Sequence, residues 1–221
     1  MTRRTTHAEL PEWVRTLLSE SRFDRYLKAA GGEIDVAVRL YDWNVEVSAA
    51  FFGPLHWLEV SLRNALNHRL RHRYGQDDWW SAAPLTDNGR LKVSRARRKL
   101  GQQKVGQFSP DDVVAELTFG FWVSLLSRVH DRMFWVPVLH KSFPNYAGSR
   151  HALHGDFMGM LDFRNRVMHH EPIFYLDLPE YHQRIYRLLG YLSPDAAEHA
   201  GRTDLITDVL ERRDEVWPRM G

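Results

Sequence analysis

From Glu33 to Tyr74 the apolar residues Val36, Leu40, Trp43, Val47, Phe51, Leu55, Leu58, Leu62, Leu66 and Leu70 recur every three or four positions. That interval lays them along one stripe of an α-helix, which turns every 3.6 residues, whereas a half-buried strand requires a period of two. Almost no segment of the chain alternates with period two, so the sequence predicts an all-α protein. Gly53-Pro54 falls in the middle of the long stripe. Proline lacks the N–H of an interior helical bond, so the pair predicts a kink or a split there.

Local signals place the other elements. Pro11 opens a first helix through Leu18, and Ser21 is positioned to cap a second that stops at Gly31-Gly32. Gly75 to Asn88, with Trp79-Trp80 and Pro84, reads as a loop, and a basic helix follows from Asp87 to Lys104. Ser109-Pro110-Asp111-Asp112 is an N-cap with proline in the first turn, leading into Val113 to Leu117 and the apolar run Phe119 to Leu126. Residues 127 to 148 are mixed and aromatic. A helix from Ser149 to His169 ends at Glu171-Pro172, and two more are expected, Pro179 to Leu192 and Pro194 onward. Without a low-complexity tract or a clear linker, residues 1 to 221 read as a single helical domain.

Composition narrows the chemistry. With no cysteine, the chain has no disulfide, no thiolate nucleophile and no sulfur-ligated metal centre. A reducing cytoplasm is the expected location, since neither an export signal nor an apolar run of membrane-spanning length (~18 residues) is evident. The basic residues are 25 Arg and 5 Lys. Arginine's planar fork suits phosphate, so this bias leans towards RNA, although a genome that encodes arginine readily would produce it too.

One short sequence occurs twice. Arg63 to His68 and Arg164 to His169 both read R-N-x-x-x-H, where residue frequencies give about 0.04 matches by chance. On a helix, Asn64 and His68 share a face, as do Asn165 and His169, and each preceding arginine is long enough to reach the same patch. Two such helices side by side would bring two imidazoles and two guanidiniums around one pocket. Those groups suffice to cleave RNA without a metal or other cofactor. One imidazole takes the proton of the ribose 2′-OH, the other protonates the leaving 5′-oxygen, and the arginines stabilise the phosphorane. The expected products are a 2′,3′-cyclic phosphate and a 5′-hydroxyl.

The second copy of the motif resembles the R-x-x-x-x-H signature of the HEPN ribonucleases. Its surroundings resemble more narrowly the Abi-like (abortive infection) proteins of bacteria: F-D-R-Y-L at Phe23, H-W-L-E-V-S-L-R-N-A-L at His56, Asp78-Trp79-Trp80, E-L-T-F-G-F-W-V-S-L-L at Glu116 and D-F-R-N-R-V-M-H-H-E-P-I at Asp162. The resemblance covers about residues 20 to 195. It implies a HEPN-like helical bundle, here with additional N- and C-terminal helices, and a ribonuclease acting in phage defence or as a toxin. By this resemblance Arg164, Asn165 and His169 are the catalytic residues, RNA is the substrate, and an antitoxin or regulatory RNA is a candidate partner. HEPN nucleases usually carry one motif per domain and pair two domains, often in a homodimer. With a second motif at Arg63, Asn64 and His68, the composite site forms either within one chain or across a dimer.

The remaining basic residues are candidates for holding the RNA backbone. Arg69, Arg71 and Arg73 follow the first motif, and Arg90, Lys92, Arg95, Arg97, Arg98, Lys99 and Lys104 form a run with no acid between Asn88 and Pro110. A solvated helix face is the alternative for that run. His170 and Glu171 read as helix-end features. Trp43, Trp57, Phe119, Phe121 and Trp122 read as core, and Trp79-Trp80 as either core or a base-stacking pair. His151, His154 and Asp156 have no further metal ligand within sequence reach.

Overall fold

The computed structural model describes residues 10–103 and 107–217, and these are all-helical, as the apolar period predicts. In chain order the α-helices are α1 (Glu20–Ala29), α2 (Ile34–Tyr74), α3 (Asp87–Gln103), α4 (Pro110–Glu116), α5 (Phe119–Ser124), α6 (Arg150–Met168), α7 (Leu178–Leu192), α8 (Pro194–Gly201), α9 (Ile206–Glu211) and α10 (Arg213–Val216). No helix among the described residues is long and apolar enough to cross a membrane.

Helix α2 runs 41 residues without a break, so Gly53-Pro54 does not split it. A proline inside a helix costs about 3 kcal/mol. Burial of Phe51, Leu55 and Leu58 on either side of it, at roughly 1.5–3 kcal/mol each, outweighs that loss. The chain nevertheless divides into two compact units at this point, between Phe52 and Gly53, and again between Asn165 and Arg166 inside α6.

The first unit comprises the chain up to Phe52, Arg166–Pro179, and the residues from Asp204 on. Its core joins Phe23 and Tyr26 of α1, Leu40, Trp43 and Val47 of α2, Ile173, Phe174, Ile206 and Val209. Tyr26 packs its ring against Tyr41 and Phe174 at 5.1 and 5.0 Å. Trp43 Nε1 donates to the Val209 carbonyl at 3.0 Å. Buried Asn44 lends its Oδ1 to the backbone N–H groups of Ile173 (2.8 Å) and Phe174 (3.1 Å), fixing the segment after α6. Gly31 and Gly32, at φ 64° and 92°, stop α1 as expected. Ser21 lies inside α1 rather than capping it, because the break comes earlier, at Ser19 with φ 62°.

The second unit comprises Gly53–Asn165 and Glu180–Thr203. Its core carries the rest of the α2 stripe together with Trp79, Phe119, Phe121, Trp122, Phe134, Phe157, Phe163 and Leu188. Ser109 and Asp112 form the capping box of α4: Asp112 N–H donates to Ser109 Oγ (3.2 Å) and Ser109 N–H to Asp112 Oδ2 (2.8 Å). Leu117 and Thr118 are extended and separate α4 from α5. Short π and 3-10 turns then bridge 128–142. Trp79 is fully buried, with its Nε1 donating to Asn67 Oδ1 at 2.9 Å, and its ring meets Trp80, Phe121 and Trp122. The Trp79-Trp80 pair is therefore core and not a base-stacking platform.

Candidate catalytic and nucleic-acid site

The polar side of α2 faces away from its leucine stripe. Arg63, Asn67 and Arg71 follow one another at four-residue steps, as do Asn64, His68 and His72, and all six line one groove of about 660 Å³. Asp111, Val114 and Ala115 of α4 form its other wall. The first motif is thus gathered into a single feature, which also contains Asn67, His72 and Asp111, none of which the motif reading singled out. Asn67 lies inside the first motif and His72 one helical turn beyond it, so following the same helical face would have found both. Asp111 comes from a different helix and carried no such signal.

Charges in this groove are partly balanced. Arg71 donates to Asp77 (2.7 Å) and to Asp111 (2.9 Å), and the hydrogen bond to Asp77 is the largest influence raising its already high pKa. Arg63 is half-buried, with its Nε directed at Asn64 Oδ1 (3.3 Å), while Asn64 and His68 are exposed. Arg69 points elsewhere: it donates to the Lys141 carbonyl at 2.9 Å and lines a separate groove with Trp135 and His140. Arg73 is exposed, 5.7 Å from the Tyr74 ring.

The second motif also directs its arginine at the following asparagine, through a different nitrogen. Half-buried Arg164 sets Nη1 at 3.5 Å from Asn165 Oδ1, and its Nε donates to Glu59 Oε2 at 3.1 Å. Glu59 lies one turn before Arg63 on α2, so the two Arg-Asn pairs stand on helices joined by this ion pair. Arg164 and Asn165 do not line the groove that holds His68. Nine residues separate Glu59 from His68, roughly 13 Å along the axis. His169, exposed, is the first residue beyond α6 and belongs to the first unit. There the chain turns through His170 at φ 56°, closed by Glu171 N–H to the Arg166 carbonyl (2.9 Å) and by Arg22 donating to the His170 carbonyl (2.7 Å). Glu171 pairs with Arg166 at 3.1 Å.

The expectation that the α3 cations lack counter-charge needs correcting. Arg90 pairs with Asp87 (2.6 Å) and also donates to the Leu85 carbonyl, and Lys99 pairs with Glu116 of α4 at 2.5 Å. Asp87 stands three residues before Arg90, just ahead of the acid-free run, whereas sequence distance hid Glu116, seventeen residues from Lys99. Arg95, Arg97 and Arg98 are exposed and Lys92 half-buried, with no ion pair found for them among the described residues. Lys104 lies outside the described residues.

Among the described residues, no three His, Asp or Glu side chains converge as a metal site. Asp156 instead faces Arg184 (3.9 Å) and Arg187 (3.8 Å). Burial lowers the pKa of His130, and burial followed by Arg150 and His151 lowers that of His154, which leaves both buried-side imidazoles inclined to neutrality. His130 Nδ1 contacts the Ser124 carbonyl (3.0 Å) and Ser127 Oγ (3.2 Å). The chain matches no protein-family model, and no curated protein or solved structure is significantly similar to it.

Proposed function

We propose that the protein is a metal-independent endoribonuclease of the HEPN type, acting in bacterial phage defence or as a toxin. The observation that carries this reading is the repeated Arg-Asn pair: in each copy a guanidinium nitrogen, Nε of Arg63 and Nη1 of Arg164, is directed at the Oδ1 of the asparagine that follows, on helices tied together by Glu59. Two such arginines can neutralise a phosphodiester whose charge grows in the transition state. A motif histidine, His68 or His169, removes the 2′-OH proton as the 2′-oxygen bonds to phosphorus. A second imidazole protonates the departing 5′-oxygen, so the step conserves both protons and needs no co-reactant. The second imidazole comes from the same chain or from a second copy, and RNA is the partner, with an antitoxin or regulatory RNA as its control.

The test is incubation of single-stranded RNA with the purified protein in excess EDTA. Cleavage to 2′,3′-cyclic phosphate ends is expected, falling ~10²- to 10⁴-fold in His169→Ala. Arg164→Lys should also be impaired, because lysine loses the fork that spans two phosphate oxygens. Activity that disappears in EDTA and returns with magnesium would replace this mechanism with a metal-dependent one.

A second reading, a non-catalytic HEPN-like module that binds RNA or a partner protein, is favoured by the carboxylates that already hold Arg164 and Arg71, which leave these guanidiniums less free to stabilise a transition state. It predicts no cleavage products from RNA, equally in the wild type and in His169→Ala.

A further inference from the structure

A second cavity, of about 710 Å³, lies wholly within the first unit, between α1, the first half of α2 and the turn that closes α6. Small-molecule sites occupy roughly 300–1,000 Å³. Among the described residues, no carboxylate lines it. Its polar groups are Arg22, Tyr26, Tyr41, Asn44, Ser48 and His170. Asn44 Oδ1 is occupied by two backbone N–H groups, so the donor it has left for a ligand is its amide nitrogen. Ser48 Oγ–H donates to the Asn44 carbonyl at 2.7 Å, which leaves the Ser48 oxygen as an acceptor. Burial, more than the neighbouring Tyr41, raises the Tyr26 pKa, so that phenol keeps its proton. Phe52 and Met168 supply apolar walls. Arg22 uses one nitrogen on the His170 carbonyl and has four N–H donors left.

An aromatic wall, one amide donor and one hydroxyl acceptor are the complement of a planar heterocycle with both acceptor and amine edges. An arginine and a histidine at the same cavity, with no acid among the described lining residues, complement an anion. We infer that this cavity binds a nucleotide, with the base beside Tyr41, Asn44, Ser48 and Phe52 and the phosphate at Arg22 and His170. The turn through His170 is held from both sides by the Arg22 bond and by the Glu171 to Arg166 bond, so the anion end is in place before a ligand arrives. The same chemistry has two sources, a free mononucleotide or one nucleotide of an RNA strand. His170 directly follows motif residue His169 within the same unit, so the phosphate of an RNA-derived nucleotide would lie one residue along the chain from that histidine.

The experiment is calorimetric titration of the full chain with AMP, GMP, CMP and UMP, with inorganic phosphate, and with a 2′-O-methyl oligonucleotide that cannot be cleaved. Ala49 is an exposed residue of α2 that lines the cavity, so Ala49→Phe fills the space without entering the core. At least one mononucleotide should bind with Kd of about 100 μM or tighter. Ala49→Phe and Arg22→Gln should each weaken it about tenfold or more while melting like the wild type. The inference is overturned if none of the four binds below about 1 mM, if both variants bind as the wild type does, or if phosphate alone binds as tightly as the nucleotides. Oligonucleotide affinity that falls in Ala49→Phe identifies RNA as the source, and unchanged oligonucleotide affinity identifies free nucleotide; either result upholds the site. Binding is read without turnover, so an absence of nuclease activity would leave this result standing.

Discussion

Asn44 offers the sharpest test of what orders the chain after α6. Its Oδ1 is the acceptor for the N–H groups of Ile173 and Phe174, residues that are 0% and 4% exposed. Replacing Asn44 with Ala leaves both donors unsatisfied, at about 1–3 kcal/mol each. The loss should therefore be ~3 kcal/mol, towards the lower half of the summed range because water can enter the space vacated by the amide. Asn44→Leu separates hydrogen bonding from packing, since leucine restores the volume without the acceptor. Both variants should lower the urea midpoint at unchanged m, followed by circular dichroism. Native-state hydrogen exchange should accelerate at the Ile173 and Phe174 amides by about a hundredfold, the equivalent of ~3 kcal/mol. A loss below ~1 kcal/mol in Asn44→Ala, or recovery in Asn44→Leu, would refute the reasoning.

The triple replacement of Arg95, Arg97 and Arg98 by Gln should weaken RNA binding and flatten its dependence on salt, by a slope of at most ~0.7 per lost single-strand phosphate contact. Filter binding across a salt series checks this, and unchanged affinity would mark α3 as a solvated face. Buried His130 has a lowered folded pKa, so the unfolded chain takes up the proton first. Its contribution is intact above the unfolded value near ~6.5 and is lost as pH falls, by up to ~1.4 kcal/mol per pH unit, levelling off below the lowered folded value. Urea midpoints across this pH window should fall less steeply in His130→Gln than in the wild type, and parallel profiles would contradict the assignment. Trp79→Phe keeps most of the buried ring but leaves Asn67 Oδ1 without its donor, so a loss of ~1–3 kcal/mol is expected in thermal or urea unfolding.

The leucine stripe of α2, the Gly31-Gly32 stop and the Ser109 cap were legible in the sequence because each depends on neighbours within about one helical turn. The same local rule made the first motif readable as one helical face, and extended by a turn it reaches His72. Where the local rules failed, tertiary packing had the larger energy. Burial along α2 carried the helix through Pro54, and an asparagine twelve residues away drew Trp79 into the core. Sequence could not show which cations are already neutralised, because attraction acts through space. Lys99 finds Glu116 seventeen residues on, Arg71 finds Asp111 forty residues on, and Arg164 finds Glu59 across 105. The cavity of the first unit was invisible for the same reason: Arg22, Asn44 and His170 have no common period or motif, and only the folding of the first unit brings them around one space.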